Sequence, residues 1–424
     1  MRKLLLSLYF ITLSWTSAFS LTWTISFPVV FSCLFGILVL VNRSLGRIRI
    51  KLYCSELFLL AFLSSIWLSY LLNFSRFNSS KPTNHLIAYT FTCTILYFSV
   101  RFYLSHLSLL IPDFFTKVLK AISISVFFSA AFGLIEFFGK NFFNLPIDNY
   151  IPRSFVEEYQ PTFLGKFIRL RSFVEESGHY ALFIELFFPL MYYYFFYNTT
   201  GKQESRIIAY VFICVTAVAF ILTFSSAGIT IAAIVLIVIS ITNWPNKISS
   251  KKIITLLLIC AIGISITFFL NNYIVEEANI NISEALNILT LDKATNSGSQ
   301  EDRADRITVA FDEIRKSNII NIIFGNGPAA YDTLKIESII GLYIVLLLEI
   351  GFNGLFLFFI FIGFIFLKIW NLPDKKLRGV FIISISSALL HYLFIGNYFY
   401  PWFWLVCAIL YVTPYNQSNY GTKV

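Results

Sequence analysis

The chain has 424 residues, of which 57% are hydrophobic, 18% aromatic and only 13% charged, with a mean hydropathy of +0.75. A soluble domain carries nearer a quarter charged residues, so the composition excludes an ordinary globular protein and points to a polytopic membrane protein. The net charge of +9 sits in short basic clusters between apolar runs. That pattern belongs to membrane orientation, and no nucleic-acid partner is expected.

The first twenty residues, MRKLLLSLYFITLSWTSAFS, have the shape of a signal peptide. The apolar character continues to Val41, so a retained first helix is expected rather than a cleaved one. A membrane helix needs about 20 mostly apolar residues, and Pro28 interrupts the run, which therefore divides into spans near 4–20 and 24–41. Further spans are expected near 54–74, 86–104, 118–138, 178–197, 207–224, 228–243 and 253–271, and then near 350–370, 379–396 and 398–413. The stretch 338–370 is too long for one simple helix, and its start, SIIGLYIVLLLEIGF, reads as an interfacial or re-entrant piece.

The fold class expected is an all-α polytopic membrane protein of about 12 transmembrane helices, one integral membrane domain over 1–424. Basic residues orient it. Arg43, Arg47, Arg49 and Lys51, then Lys117 and Lys120, Lys247, Lys251 and Lys252, and finally Lys375, Lys376 and Arg378 fall on one side. The positive-inside rule makes that side, and both termini, cytoplasmic. Two long loops, 139–177 and 271–337, then face away from the cytoplasm, the second between the ninth and tenth spans.

The six cysteines lie in or at the ends of apolar runs with no CxxC spacing, so neither a disulfide framework nor a zinc site is expected. HExxH, EF-hand, P-loop and GxSxG patterns are missing, and no cofactor is expected. The polar loops hold the remaining chemistry. The first ends KFIRLRSFVEESGHYALF, crowding Arg169, Arg171, Glu175, Glu176 and His179 at the start of a span. One reading is a solvated helix entrance, with Ser177 as cap and acids at the positive end. The other is functional, because ionisable groups at the lipid boundary are costly.

The second loop reads SGSQEDRADRITVAFDEIRKSNIINIIFGNGPAAYD. Ile307, Ala310, Phe311 and Ile314 recur at helical spacing, so 301–316 predicts an amphipathic helix carrying Arg303 and Arg306. Gly325 and Gly327 around Asn326 form either a plain turn or a close backbone approach to a phosphate or sugar. RSFVEE occurs twice, at 153–158 and 171–176, which is too few copies for a solenoid. Glu136, Glu185 and Glu349 lie in or near spans, where a carboxylate costs about 2.5–3.5 kcal/mol unless it finds water or a partner. Hydration is the simpler expectation for the first two. His391 reads as an interior histidine, and His85 and His106 as residues of polar loops.

Taken together these stretches resemble the O-antigen polymerase (Wzy-type) and O-antigen ligase superfamily of bacterial inner-membrane proteins. RLRSFVEESGHYALF is similar to the polymerase pattern through Arg171, Phe173, Glu175 and Ser177, with Glu176 where proline is usual. LTFSSAGITIAAIVLIV resembles a span-ending Ser-Arg-Thr-Gly stretch, with Ser226 and Ala227 in place of Arg and Thr. The long loop resembles the family's sequence of arginine, amphipathic helix and Gly-x-Gly, followed by LLLEIGFNGLF. A ligase carries a histidine after those glycines; none occurs between His179 and His391, which tilts the resemblance to the polymerase.

The resemblance implies a GT-C-like fold with an extracytoplasmic site. It also implies a glycosyltransferase that moves a glycan from a polyprenyl-pyrophosphate-linked oligosaccharide to another lipid-linked repeat unit, in membrane lipid and with a chain-length regulator as a possible partner. The leaving pyrophosphate needs guanidinium groups, the roles implied for Arg171, Arg303 and Arg306 with Arg169 in support. The attacking hydroxyl needs a base, for which Glu175 comes first and His179 second. O-antigen ligase and, in a different class, a lipid-linked oligosaccharide flippase remain the alternatives.

Overall fold

The computed structural model describes residues 2–20, 25–46, 48, 50–153, 163–164, 167–197, 206–243, 298–396 and 398–414. Nearly all of its regular structure is helical. Among the described residues five helices are long and apolar enough to cross a membrane: α2 (Phe27–Ser44), α3 (Cys54–Asn73, extended by a 3-10 turn to Arg76), α4 (Lys81–Leu110), α5 (Phe114–Phe143) and α13 (Leu342–Trp370). These runs form helices because a backbone in lipid has to satisfy its own N–H and C=O groups. The expected first span is shorter, a ten-residue helix α1 (Arg2–Ile11). The span expected near 253–271 lies outside the described residues.

The chain divides into two compact units, Met1–Pro28 with Thr116–Ser297, and Val29–Phe115 with Gly298–Val424. The first unit contains α1, α5, a single helical turn α6 (Ile147–Tyr150), α7 (Ser177–Phe196), α8 (Arg206–Leu222) and α9 (Ser226–Asn243). A two-residue antiparallel ladder, β1 (Phe163–Leu164) with β2 (Phe167–Ile168), precedes α7. The segments expected outside the cytoplasm meet at one end of this unit: Ser17 and Ala18 donate to Phe173 O, Phe19 to Pro152 O, and Leu170 to Leu222 O.

The second unit contains α2, α3, α4, α10 (Gly298–Lys316), α11 (Ile319–Phe324), α12 (Ala330–Leu334), α13, α14 (Lys375–His391) and α15 (Pro401–Val412). Its connecting segments gather at two ends. At one end Asn73 meets Gly325, Lys81 meets Asp332, and Leu342 N–H bonds Tyr392 O. At the other, Arg101 bonds Lys51 O and Lys368 lies over the Tyr53 and Tyr411 rings. The amphipathic helix expected at 301–316 is α10, although Phe311 of its apolar stripe stays exposed.

The stretch 338–370 is not one simple helix, in line with its length: α13 is two helical segments that meet at a kink, where Gly351 has non-helical geometry (φ 67°, ψ −171°). The break is filled from outside the helix, as described below.

Candidate functional site

In the first unit the loop 168–176 is laid along the second half of α5, and the sequence explains how. Asn141 on α5 clamps Ile168 from both sides, donating to its carbonyl and accepting its N–H. Gly133 gives the loop room: a Cβ there would come 2.8 Å from Leu170 Cδ2. Ser172 adopts a left-handed φ of 55° and its hydroxyl donates to Ser129 O at 2.7 Å. Phe173 then stacks on Phe132 at 4.2 Å and packs with Ala18 and Ile151.

That placement carries Arg171 into a buried ionic cluster. Lys140 Nζ lies 2.6 Å from Glu136 Oε1 and 2.7 Å from Asp148 Oδ2. Arg153 reaches the same two acids, Nη2 at 2.8 Å from Glu136 and Nε at 3.3 Å from Asp148. Arg171 Nη2 is 3.3 Å from Asp148 and its Nε 4.0 Å from Glu136. Three cations thus face two carboxylates. Four of the five side chains are buried; only Asp148, 39% exposed, opens outward. Oε2 of Glu136 is buried and makes no hydrogen bond among the described residues.

Burial pushes the Asp148 carboxyl up, but the Lys140 ammonium, with Arg171 and Arg153, outweighs it and holds the group below the usual carboxylate range. Arg171 is shifted down, first by burial and then by Arg153 beside it.

Arg153 and Arg171 are the first residues of the two RSFVEE copies. The duplication therefore supplies two guanidinium groups to one cluster. The repetition was visible in the sequence; the convergence was not, because only the path of the loop along α5 creates it. No protein-family model and no curated protein matches the chain. The site's chemistry therefore stands on its geometry.

The other expected residues of this loop are placed as follows. Arg169 donates from Nε to Thr223 O and from Nη2 to Phe224 O, both at 2.9 Å, and so holds the turn between α8 and α9. Glu175 is half-buried and its Oε2 accepts the Thr16 hydroxyl at 3.0 Å. His179 is buried in the first turn of α7. Ser177 is not the cap expected of it: Glu176 takes the cap position without a side-chain capping bond, and Ser177 is the first helical residue. Glu136 and Glu185 are buried rather than hydrated, and Glu136 replaces lost water with ion pairs.

In the second unit Arg306 pairs with Glu337 at 2.9 Å and donates to Ser338 O, tying α10 to the segment before α13. Arg303 lies on α10, and its side chain is outside the described residues. The glycines of the long loop let it approach the backbone of α13. Asn326 and Gly327 N–H groups donate to Leu348 O and Glu349 O, the carbonyls freed by the break at Gly351. A Cβ at Gly325 would come 2.2 Å from Glu349 O, and one at Gly351 2.4 Å from Ile323 O.

Glu349, only 2% exposed, is surrounded there. Its carboxylate accepts from Tyr89 O–H at 2.7 Å and Ala329 N–H at 2.9 Å, with His85 Nδ1 at 3.6 Å. Asp332 pairs with Lys81 at 2.8 Å, and the hydrogen bond from Lys81 is the first cause holding its carboxyl low. Sequence reasoning placed His85 in a polar loop, but it stands in the first turn or two of α4 beside this acid. The available signal was Glu349 itself, a carboxylate in an apolar run that had to find donors.

Proposed function

We propose that this chain is a membrane-embedded glycosyltransferase that polymerises oligosaccharide repeat units carried on polyprenyl pyrophosphate, building a surface polysaccharide on the extracytoplasmic face of a bacterial inner membrane. The proposal includes about twelve spans in a GT-C-like arrangement with cytoplasmic termini. The observation that carries it is the cluster of Lys140, Arg153 and Arg171, an excess of buried cations at the end of the first unit where its extracytoplasmic loops gather.

Such a cluster suits a diphosphate leaving group. Asp148 touches all three cations and is the one exposed member, so an arriving pyrophosphate competes for the donors that Asp148 occupies. Guanidinium groups bind phosphate oxygens in pairs and stabilise charge that develops as the anomeric C–O bond breaks. The acceptor hydroxyl attacks that carbon from the opposite side and inverts it, and its proton needs an acceptor. Within the first unit, Glu175 is the accessible choice and His179 the buried one. Arg169 supports the site by fixing the α8–α9 turn. Arg303 and Arg306 enter the proposal as phosphate contacts of the long loop.

Deletion of the gene, followed by gel analysis of surface polysaccharide, tests the reading. A single repeat unit on the lipid core is the expected outcome, and Arg171→Ala or Arg153→Ala complementation should leave that pattern. Polymer accumulating on the lipid carrier indicates a ligase instead, and loss of every extracytoplasmic repeat unit a flippase. If Arg303→Ala with Arg306→Ala leaves polymer length and yield unchanged, the long-loop arginines drop out.

A further inference from the structure

The opposite end of the second unit, away from the Gly-x-Gly loop, holds a second group of charges that the proposed reaction does not use. Tyr53 and Tyr411 lie with ring centroids 4.9 Å apart. Three cations gather on the Tyr53 ring: Lys368 Nζ at 4.5 Å from its centroid, the Arg101 guanidinium at 5.0 Å and Lys51 Nζ at 5.6 Å. Lys368 and Arg101 also lie over Tyr411, at 4.4 and 4.9 Å.

The carboxylate within this group is Glu56, fully buried at the start of α3. Arg101 Nε stands 2.7 Å from its Oε1, and the Tyr53 N–H donates to its Oε2 at 2.8 Å. Arg101 and Glu56 form an ion pair, and Lys51 and Lys368 add two further cations on the same ring. The position is also a membrane boundary. Lys368 belongs to the last turn of the 29-residue apolar helix α13, Glu56 to the first turn of α3, and Tyr411 to the end of α15. Two residues beyond Lys368, exposed Trp370 meets the Arg378 guanidinium at 5.5 Å, an aromatic and basic pairing typical of the headgroup level.

We propose that Lys51 and Lys368, backed by the Tyr53 and Tyr411 rings, form a binding site for the phosphate of an anionic membrane lipid. Ammonium groups held between helix ends at headgroup depth are suited to a phosphodiester, whose acyl chains lie along the apolar surface of α13. Exposed Phe356 and Leu367 on that helix supply such a surface. An inorganic phosphate shares the headgroup chemistry but lacks the chains, and the chains select the lipid.

The test uses the full-length protein, purified and reconstituted in nanodiscs of phosphatidylcholine alone or of phosphatidylcholine with phosphatidylglycerol. The expected result is a thermal transition several degrees higher with phosphatidylglycerol, together with phosphatidylglycerol adducts in native mass spectra. Lys51→Gln with Lys368→Gln should remove the added stability and weaken adduct retention about tenfold, while Lys368→Arg keeps both. The phosphatidylcholine discs report whether the double variant still folds. Equal gains in wild type and double variant overturn the proposal. So does a full gain from inorganic phosphate in phosphatidylcholine discs, which would show a soluble anion site.

Discussion

Asp148 shows how one side chain sets the state of the ionic cluster. Its carboxyl is held below the usual carboxylate range because Lys140, Arg171 and Arg153 outweigh the burial that pushes it up. A group whose folded pKa lies below its unfolded value, near ~3.9 for aspartate, stabilises the fold above that value. The contribution is lost as pH falls through the folded pKa. Acid should therefore loosen the first unit below about pH 4. In thermal melts of the purified protein, the wild-type transition should fall more steeply in this window than that of Asp148→Asn, which has no carboxylate left to protonate. Parallel pH profiles for the two would show that the cluster does not depend on Asp148.

Among the elements, α13 is held by its own defect. The break at Gly351 frees the carbonyls of Leu348 and Glu349, and the 325–327 loop supplies the N–H groups they need. Gly325 and Gly351 pack so closely that neither tolerates a side chain, and both have positive φ. Gly351→Ala should cost roughly 3 kcal/mol or more, combining strain with a backbone clash. The expected readout is a large drop in thermal stability of the purified protein. Gly363→Ala, further along the same helix where a Cβ meets nothing within 4 Å, is the control and should leave the transition unchanged. Equal behaviour of the two variants would mean that the loop does not lock the helix.

At the scale of the whole chain, much of the helical plan was legible from apolar runs, because lipid forces long apolar runs into helices. Helices α3, α4, α5 and α13 follow directly from those runs. The ionic cluster was half legible: Arg171 stood out, while Arg153, Lys140 and Asp148 did not, since tertiary folding alone brings them to Glu136. The role of the glycines was hidden for a similar reason. Their partner carbonyls belong to α13, and although the length of 338–370 announced a break there, nothing in the sequence tied it to the 325–327 loop. The sorting of loops in the second unit makes a direct prediction. In a background lacking exposed Cys54 and Cys214, Ser79→Cys and Lys335→Cys should react with a membrane-impermeant maleimide in intact cells. Lys51→Cys and Lys376→Cys should react only after lysis. Labelling of all four from one side would refute the arrangement.

The lock at α13 also imposes an order in time. Residues 325–329 emerge from the ribosome before Leu348 and Glu349 do, so at first their N–H groups have no helix to join. Ser69 and Asn73 of α3, made long before, already offer a hydroxyl to Gly327 N–H and an amide to Gly325 O. The loop can dock first on the older helix and wait. Completion of α13 then closes over it, so that the earlier and later halves of the second unit are fastened late in biogenesis, by one short segment held between them.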